Sequence, residues 1–229
     1  LVLGNIGLVQ AARMSTAEVR SLCKTVSVDA LCVHLATGME LVQPGGDRDF
    51  RGGLDTLRRL HGELGIPIVV KETGCGLSRQ VGLMVREIGI TAVDVSGAGG
   101  TSWVGVETHR AEGVARAVGE ALWDWGVPTA ASVSLLSDLN LQIIATGGLR
   151  SGLDVAAAIA LGARAGGLAA PVLKAWKAGG YDGAVEYLRG VIETVKAVTF
   201  LTGCRTPAEL ASAPRVIGST LRAWQEGAR

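Results

Sequence analysis

The sequence predicts an α/β chain in which short, almost continuously apolar strands alternate with amphipathic helices, the pattern of a parallel (β/α)8 TIM barrel or of an open doubly wound sheet. Three observations carry this expectation. Aromatic residues make up only 4% of the chain against a hydrophobic total of 48%, so Leu, Val, Ile and Ala must build the core, a mixture suited to helices packed on a parallel sheet. Glycine supplies 33 of 229 residues with no collagen-like period, about twice its average usage. Strand starts recur about every 33 residues, the spacing of a βα unit. Six units are present, two fewer than a closed barrel holds, and Leu1 opens directly in a strand-like run. The expectation is one domain over residues 1–229, a barrel whose first two βα units are absent from this chain.

Each element follows in order. Leu1–Ile6 is the first strand, and Ser15-Thr16-Ala17-Glu18 has the spacing of a capping box at the head of a helix. Ala30–Leu35 is the second strand. Phe50–Leu64 is a helix with Leu54, Leu57, Leu60 and Leu64 on one side. The strand Ile66–Lys71 leads to a helix over Leu77–Ile88, and the strand Ala92–Ser96 to a helix over Glu112–Trp125. Gln142–Ala145 precedes a helix over Ser151–Leu161, and a weaker strand lies at Ala165–Ala169. A long helix over Tyr181–Leu201 stops before Gly203, which suits a C′ glycine. Thr206-Pro207-Ala208-Glu209 opens a last short helix with Pro in its first turn. Strands apolar on both faces are what a covered parallel sheet requires.

Charge and cysteine usage exclude several classes. Twenty-two basic residues against 21 acidic ones leave a net charge of +1 with no basic run, which argues against a nucleic-acid surface. No stretch of about 18 apolar residues lacks a charge, so no membrane span is expected, and the first residues have no basic n-region. Cys23, Cys32, Cys75 and Cys204 lie far apart without a Cys-x-x-Cys pair, as reduced thiols of a cytoplasmic protein do. Hydrolase triads and zinc spacings are absent.

The strongest chemical signal is Ile144-Ala145-Thr146-Gly147-Gly148-Leu149-Arg150-Ser151, where a buried strand ends in two glycines and a helix begins. Glycines let a phosphate reach backbone N–H groups, and the helix N-terminus adds positive potential. One unit later Leu168-Ala169-Ala170-Pro171 ends the last strand with small residues, and the loops after strands 7 and 8 of a barrel form its usual phosphate site. The alternative is a tight βα turn with an N-cap serine. Lys71 stands at a strand end, where it either holds negative charge in a barrel mouth or is an ordinary exposed lysine. Asp94-Val95-Ser96-Gly97-Ala98-Gly99-Gly100-Thr101 lets Ser96 and Thr101 face one ligand, unless it is a plain loop. His34 and Glu40 flank the loop after the second strand. Glu40 suits a hard cation such as Mg2+, which takes one or two carboxylates plus substrate phosphates. Asp47 and Asp49 either assist a metal or cap the following helix. His61 and His109 fall on solvated helix faces, and Trp123-Asp124-Trp125 is expected to pack.

Taken together, the chain resembles the type 2, FMN-dependent isopentenyl-diphosphate isomerases. The resemblance runs in order through Leu1–Gly7, Val33-His34-Leu35, Pro44–Phe50, Val70–Gly76, Asp94–Thr101, Trp125–Ser132, the Thr146–Ser151 loop and Ala160-Leu161-Gly162-Ala163. It implies an FMN-binding barrel that converts isopentenyl diphosphate to dimethylallyl diphosphate, with reduced FMN as acid–base cofactor, NADPH as reductant and Mg2+ on the diphosphate. By position it implies that Asn5, Lys71, Ser96 and Thr101 contact FMN and that Gly147, Gly148, Leu149, Arg150, Ala169 and Ala170 wrap its phosphate. His34 would border the substrate, a small-molecule prenyl diphosphate, Met39 would stand at a substrate-contacting, proton-handling position, and Glu40 would ligate the metal. Homo-oligomers are common in such a family. Two features depart from its pattern. Ala36 and Met39 stand where the family has Asn and Gln, and the family's N-terminal segment is not found before Leu1. The alternative is a divergent FMN-barrel oxidoreductase or inactive paralogue with another substrate.

Overall fold

The computed structural model describes residues 1–227. Its chain begins with β1 (Leu3–Gly7), α1 (Leu8–Ala12), α2 (Thr16–Thr25), β2 (Ala30–His34), α3 (Thr37–Val42), α4 (Gly53–Glu63) and β3 (Ile68–Lys71). It continues with α5 (Arg79–Ile88), β4 (Ala92–Asp94), α6 (Trp103–Arg110), α7 (Gly113–Ala121), α8 (Thr129–Leu136) and β5 (Gln142–Ala145). The last part holds α9 (Gly152–Ala160), β6 (Ala165–Gly166), α10 (Ala170–Leu201), a 3-10 turn (Pro207–Ser212) and α11 (Ser219–Gly227). The six strands form one parallel sheet in the order β1-β2-β3-β4-β5-β6.

Side-chain alternation divides the sheet into two faces. Val33, Val70, Val93 and Ile143 are fully buried under the helices, where they join Val19, Leu60, Val85, Leu136 and Val155 in one core. Burying each large side chain is worth about 1.5–3 kcal/mol relative to leaving it exposed. The opposite face carries a row of titratable side chains. The register pairs Gly7 with His34, His34 with Lys71, Lys71 with Asp94 and Asp94 with Ile144, so these residues form one row at the C-terminal strand ends. No described helix is long and apolar enough to cross a membrane.

Local chemistry sets the helix limits. The capping box of α2 forms as the sequence predicts: Ser15 Oγ accepts the Glu18 N–H at 3.3 Å and Glu18 Oε2 accepts the Ser15 N–H at 2.7 Å. Helix α5 starts at Arg79 rather than Leu77 because Ser78 caps it, accepting the Val81 N–H, while Leu77 turns into the core. The helix expected over Glu112–Trp125 stops at Ala121. Trp123 meets His109 edge-on at 5.2 Å, but Trp125 is 67% exposed and does not pack. The long helix begins at Ala170, eleven residues before the predicted start, and is broken at Gly179–Gly180. The last short helix is 3-10, with Thr206 as its N-cap.

Candidate cofactor and substrate site

The end of β5 is built on backbone contact. Gly147 and Gly148 have φ of 95° and 84°. A Cβ at Gly147 would lie 2.2 Å from the Gly97 carbonyl oxygen, and one at Gly148 would lie 2.5 Å from that of Gly99. Only glycine allows the 97–100 and 146–148 loops to touch in this way. Gly97 donates its N–H to the Thr146 carbonyl at 2.9 Å. The Arg150 guanidinium clips the two loops together by donating to the Gly148 carbonyl at 2.7 Å and the Gly99 carbonyl at 2.9 Å. Tyr187 donates its hydroxyl to the Arg150 carbonyl at 2.6 Å. Among the described residues, the N–H groups of Gly148 and Leu149 find no acceptor within the chain. They lie just ahead of α9, whose N-cap Ser151 accepts from Asp154, and such an end attracts anions.

These loops floor a cavity of about 750 Å³, a size typical of ligand sites. Lys71, Ser96, Thr101, Gly147, Gly148, Leu149, Arg150, Ala169 and Ala170 all line it. The Leu149 side chain itself belongs to the core. Lys71 donates to the Glu72 carbonyl at 2.8 Å. Beside it Asp94 accepts from the Thr146 hydroxyl and, at 3.1 Å, from the Ser96 N–H. Burial pushes the Asp94 carboxyl above its ordinary value, opposed by the Thr146 bond, the Lys71 charge and the Ser96 N–H. Ser96 is held at φ 35°, a region sparsely used by residues with a Cβ, by that bond and by Gly74 and Gly76 donating to its carbonyl. Asn5 lies outside this cavity, exposed on β1.

His34 and Glu40 face a neighbouring narrow crevice with Gly7, Asp47 and Phe50. His34 Nδ1 is buried and has no hydrogen-bond partner. Burial, then the Lys71 charge, lowers the His34 pKa against the opposing pull of Glu40, so the ring is neutral near pH 7. Glu40 Oε2 accepts the Asp47 N–H at 2.7 Å. Asp47 is paired with Arg13 and Asp49 with Arg51, each at 2.6 Å. Hydrogen bonds from Arg51 hold Asp49 down at about 2. Both carboxylates are thus engaged by arginines, and no group of three potential ligands exists among the described residues. Met39 is half-buried and lines neither space. Ala36 is 1% exposed and left-handed, at φ 51° and ψ 28°, as the residue ahead of α3.

Two lining residues with large side chains were not anticipated. Trp103, first in α6, borders the cavity, and its place just after the glycine loop was the available signal. Lys174 also borders it. Nothing local marks Lys174, because it reaches the cavity only when the long helix starts at Ala170.

A family model described as FMN-dependent dehydrogenase matches residues 33–216. The chain is 41% identical over 229 residues to the isopentenyl-diphosphate delta-isomerase of Methanosarcina mazei, covering 98% of this chain and 62% of that protein. It is 38% identical to the isopentenyl-diphosphate delta-isomerase of Pyrococcus furiosus, over 98% of this chain and 59% of that one. This chain therefore spans about three-fifths of the curated relatives it matches. Among solved structures, a flavocytochrome b2 variant with sulfite bound superimposes with a TM-score of 0.65 at 19% identity, over 96% of this chain and 58% of that chain. That likeness concerns the fold alone.

Proposed function

The chain belongs to the FMN-dependent dehydrogenase family, and from that premise we propose that it binds FMN at the strand ends and serves the isomerisation of isopentenyl diphosphate to dimethylallyl diphosphate. One observation carries this reading: nine of the residues expected to contact FMN line a single cavity. The donor set fits the cofactor. Lys71, Arg150 and Lys174 bring three cations to a lining that, among the described residues, contains no carboxylate, matching a phosphate dianion and an anionic reduced ring. The glycine N–H groups and the start of α9 suit the phosphate.

When bound, FMN reduced with electrons from NADPH supplies the acid–base chemistry that moves a proton on and off the substrate's carbon chain. The protein's own part is placement. Lys71 would hold positive charge toward the ring, and Arg150 would hold the phosphate end. His34 offers a neutral, unpartnered Nδ1 on the same row as Lys71. Glu40 offers one carboxylate, which fits Mg2+ only in the mode where diphosphate oxygens complete its coordination. The prenyl diphosphate would then lie between crevice and cavity, and homo-oligomer formation belongs to the same reading.

An anaerobic titration with FMN, followed by visible absorbance, tests the first half. A saturable shift at about one flavin per chain is expected, and a folded sample that takes up no flavin overturns it. Turnover of isopentenyl diphosphate with Mg2+ and NADPH tests the second half. Ala36 and Met39 favour a second reading, a flavin barrel with another substrate, since neither side chain can donate or accept a hydrogen bond as an amide does. Flavin binding without isomerisation, unaltered in an Ala36→Asn, Met39→Gln double variant, would favour it.

A further inference from the structure

Glu72 is a buried carboxyl group that lines neither the cavity nor the crevice. It is 6% exposed. Its Oε2 accepts N–H bonds from Thr73 and, at 3.2 Å, from Cys75, and the N–H of Thr37, first residue of α3, also faces the carboxylate. The nearby Lys71 ammonium bonds to the Glu72 backbone carbonyl instead. Two N–H donors of its own loop therefore converge, with the Thr37 N–H at the head of α3 facing the same carboxylate, on a group that, when ionised, only accepts. Close packing reinforces the joint. A Cβ at Gly38 would lie 3.1 Å from Cys75 Sγ and equally near Val104, so the first turn of α3 rests directly on the 72–76 loop. That loop is anchored in turn, since Gly74 and Gly76 donate to Ser96 and Val127 donates to Cys75.

We propose that Glu72 is a positioning residue, whose carboxylate ties the start of α3 to the strand end bearing Lys71 and so fixes Met39 and Glu40 relative to the flavin side of the site. Burial pushes the Glu72 carboxyl up while the Thr73, Cys75 and Thr37 N–H groups and the Lys71 charge pull it down, and the donors reward the ionised form. An amide here would set an NH2 among N–H donors. The same carboxylate also helps hold the neighbouring thiol protonated. Burial first and the Glu72 charge second push Cys75 up to about 11, which gives the joint its own reporter.

The activity arm of the test rests on the isomerase reading, whereas the thiol arm needs no substrate. In Glu72→Gln, kcat/KM for isopentenyl diphosphate should fall about tenfold while the FMN Kd stays within about twofold. Alkylation of Cys75, resolved from the other cysteines by peptide mass, should quicken about tenfold, with its pH profile shifted to lower pH. Gly38→Ala perturbs the joint from the other side and leaves Glu72 in place. It should reproduce the faster Cys75 alkylation and the lowered kcat/KM with FMN affinity retained. Unchanged Cys75 reactivity in both variants overturns the proposal. So does a loss of FMN affinity that matches the loss of turnover, which would mean that Glu72 supports the flavin cavity as a whole. If the unmodified protein binds FMN but isomerises nothing, the isomerase reading fails while the thiol arm still decides the role of Glu72.

Discussion

Arg150 makes its two guanidinium bonds to the carbonyls of Gly148 and Gly99, so its charge lines the cavity with its side chain already ordered. Arg150→Ala should weaken FMN about tenfold and riboflavin hardly at all, because only FMN offers the phosphate. Parallel titrations of the two flavins check this, and equal weakening would remove the phosphate role. Asp94 leads to a pH prediction. Its raised pKa means that the folded chain holds a proton which the unfolded chain has released, so stability falls as pH rises from the ordinary carboxylate range near 4 toward the raised value. Glu72, also raised, adds to this decline. Asp49 and Glu18 act in the opposite sense: their lowered values favour the folded state above the ordinary range, and that benefit is lost as pH falls. Asp94→Asn should flatten the upper limb and leave the acid limb alone in melts taken from about pH 3 to about pH 8. An unchanged upper limb would show that the Asp94 charge is well compensated. At this scale the glycine pair and Lys71 were legible because strand ends and φ > 0 positions leave a local signature. Glu72 was not, since its donors come from a loop and a helix 35 residues apart in sequence, Thr37 and Glu72.

Elements end where a single backbone conformation stops them. After α2 the chain makes the bonds of a Schellman turn, Val28 N–H to the Cys23 carbonyl and Ser27 N–H to the Lys24 carbonyl, yet the left-handed residue is Ser27, at φ 52°, and not glycine. Ser27 is exposed, so Ser27→Gly should stabilise by about 1 kcal/mol, read as a higher Tm or urea midpoint. No gain would mean that the added unfolded-chain entropy of glycine offsets the relief. The break in α10 works in reverse. Gly180 sits at φ 63°, ψ −149°, a region essentially closed to other residues, so Gly180→Ala should cost about 1–3 kcal/mol in equilibrium unfolding. That same break hid the first part of α10 from a periodicity argument, which begins afresh after two glycines. Helix α8 escaped for another reason: it is buried on nearly every side and has no polar face to set a period. The strands were legible throughout because each is a short apolar run cut off by polar residues or glycine.

For the whole molecule, the proposed flavin binding would be a source of stability as well as chemistry. A ligand at 100 times its Kd adds about 2.7 kcal/mol to a folded state that alone binds it. FMN at that excess should raise the Tm accordingly, and Arg150→Ala should need proportionally more FMN for the same rise. A Tm indifferent to FMN would contradict the assigned cavity. The parallel α/β architecture could be anticipated from composition and repeat length, since both follow from how apolar strands are covered. The separation of cavity from crevice could not, because it depends on the crossing of three loops. The strand order itself has a temporal meaning. Every strand pairs with its predecessor in the chain, and the widest gap between directly paired residues is the 50 positions from Ala92 to Gln142. Loop-closure cost grows only slowly over such distances. A chain emerging from a ribosome can therefore lay down its sheet one unit at a time, each new strand finding its neighbour already made.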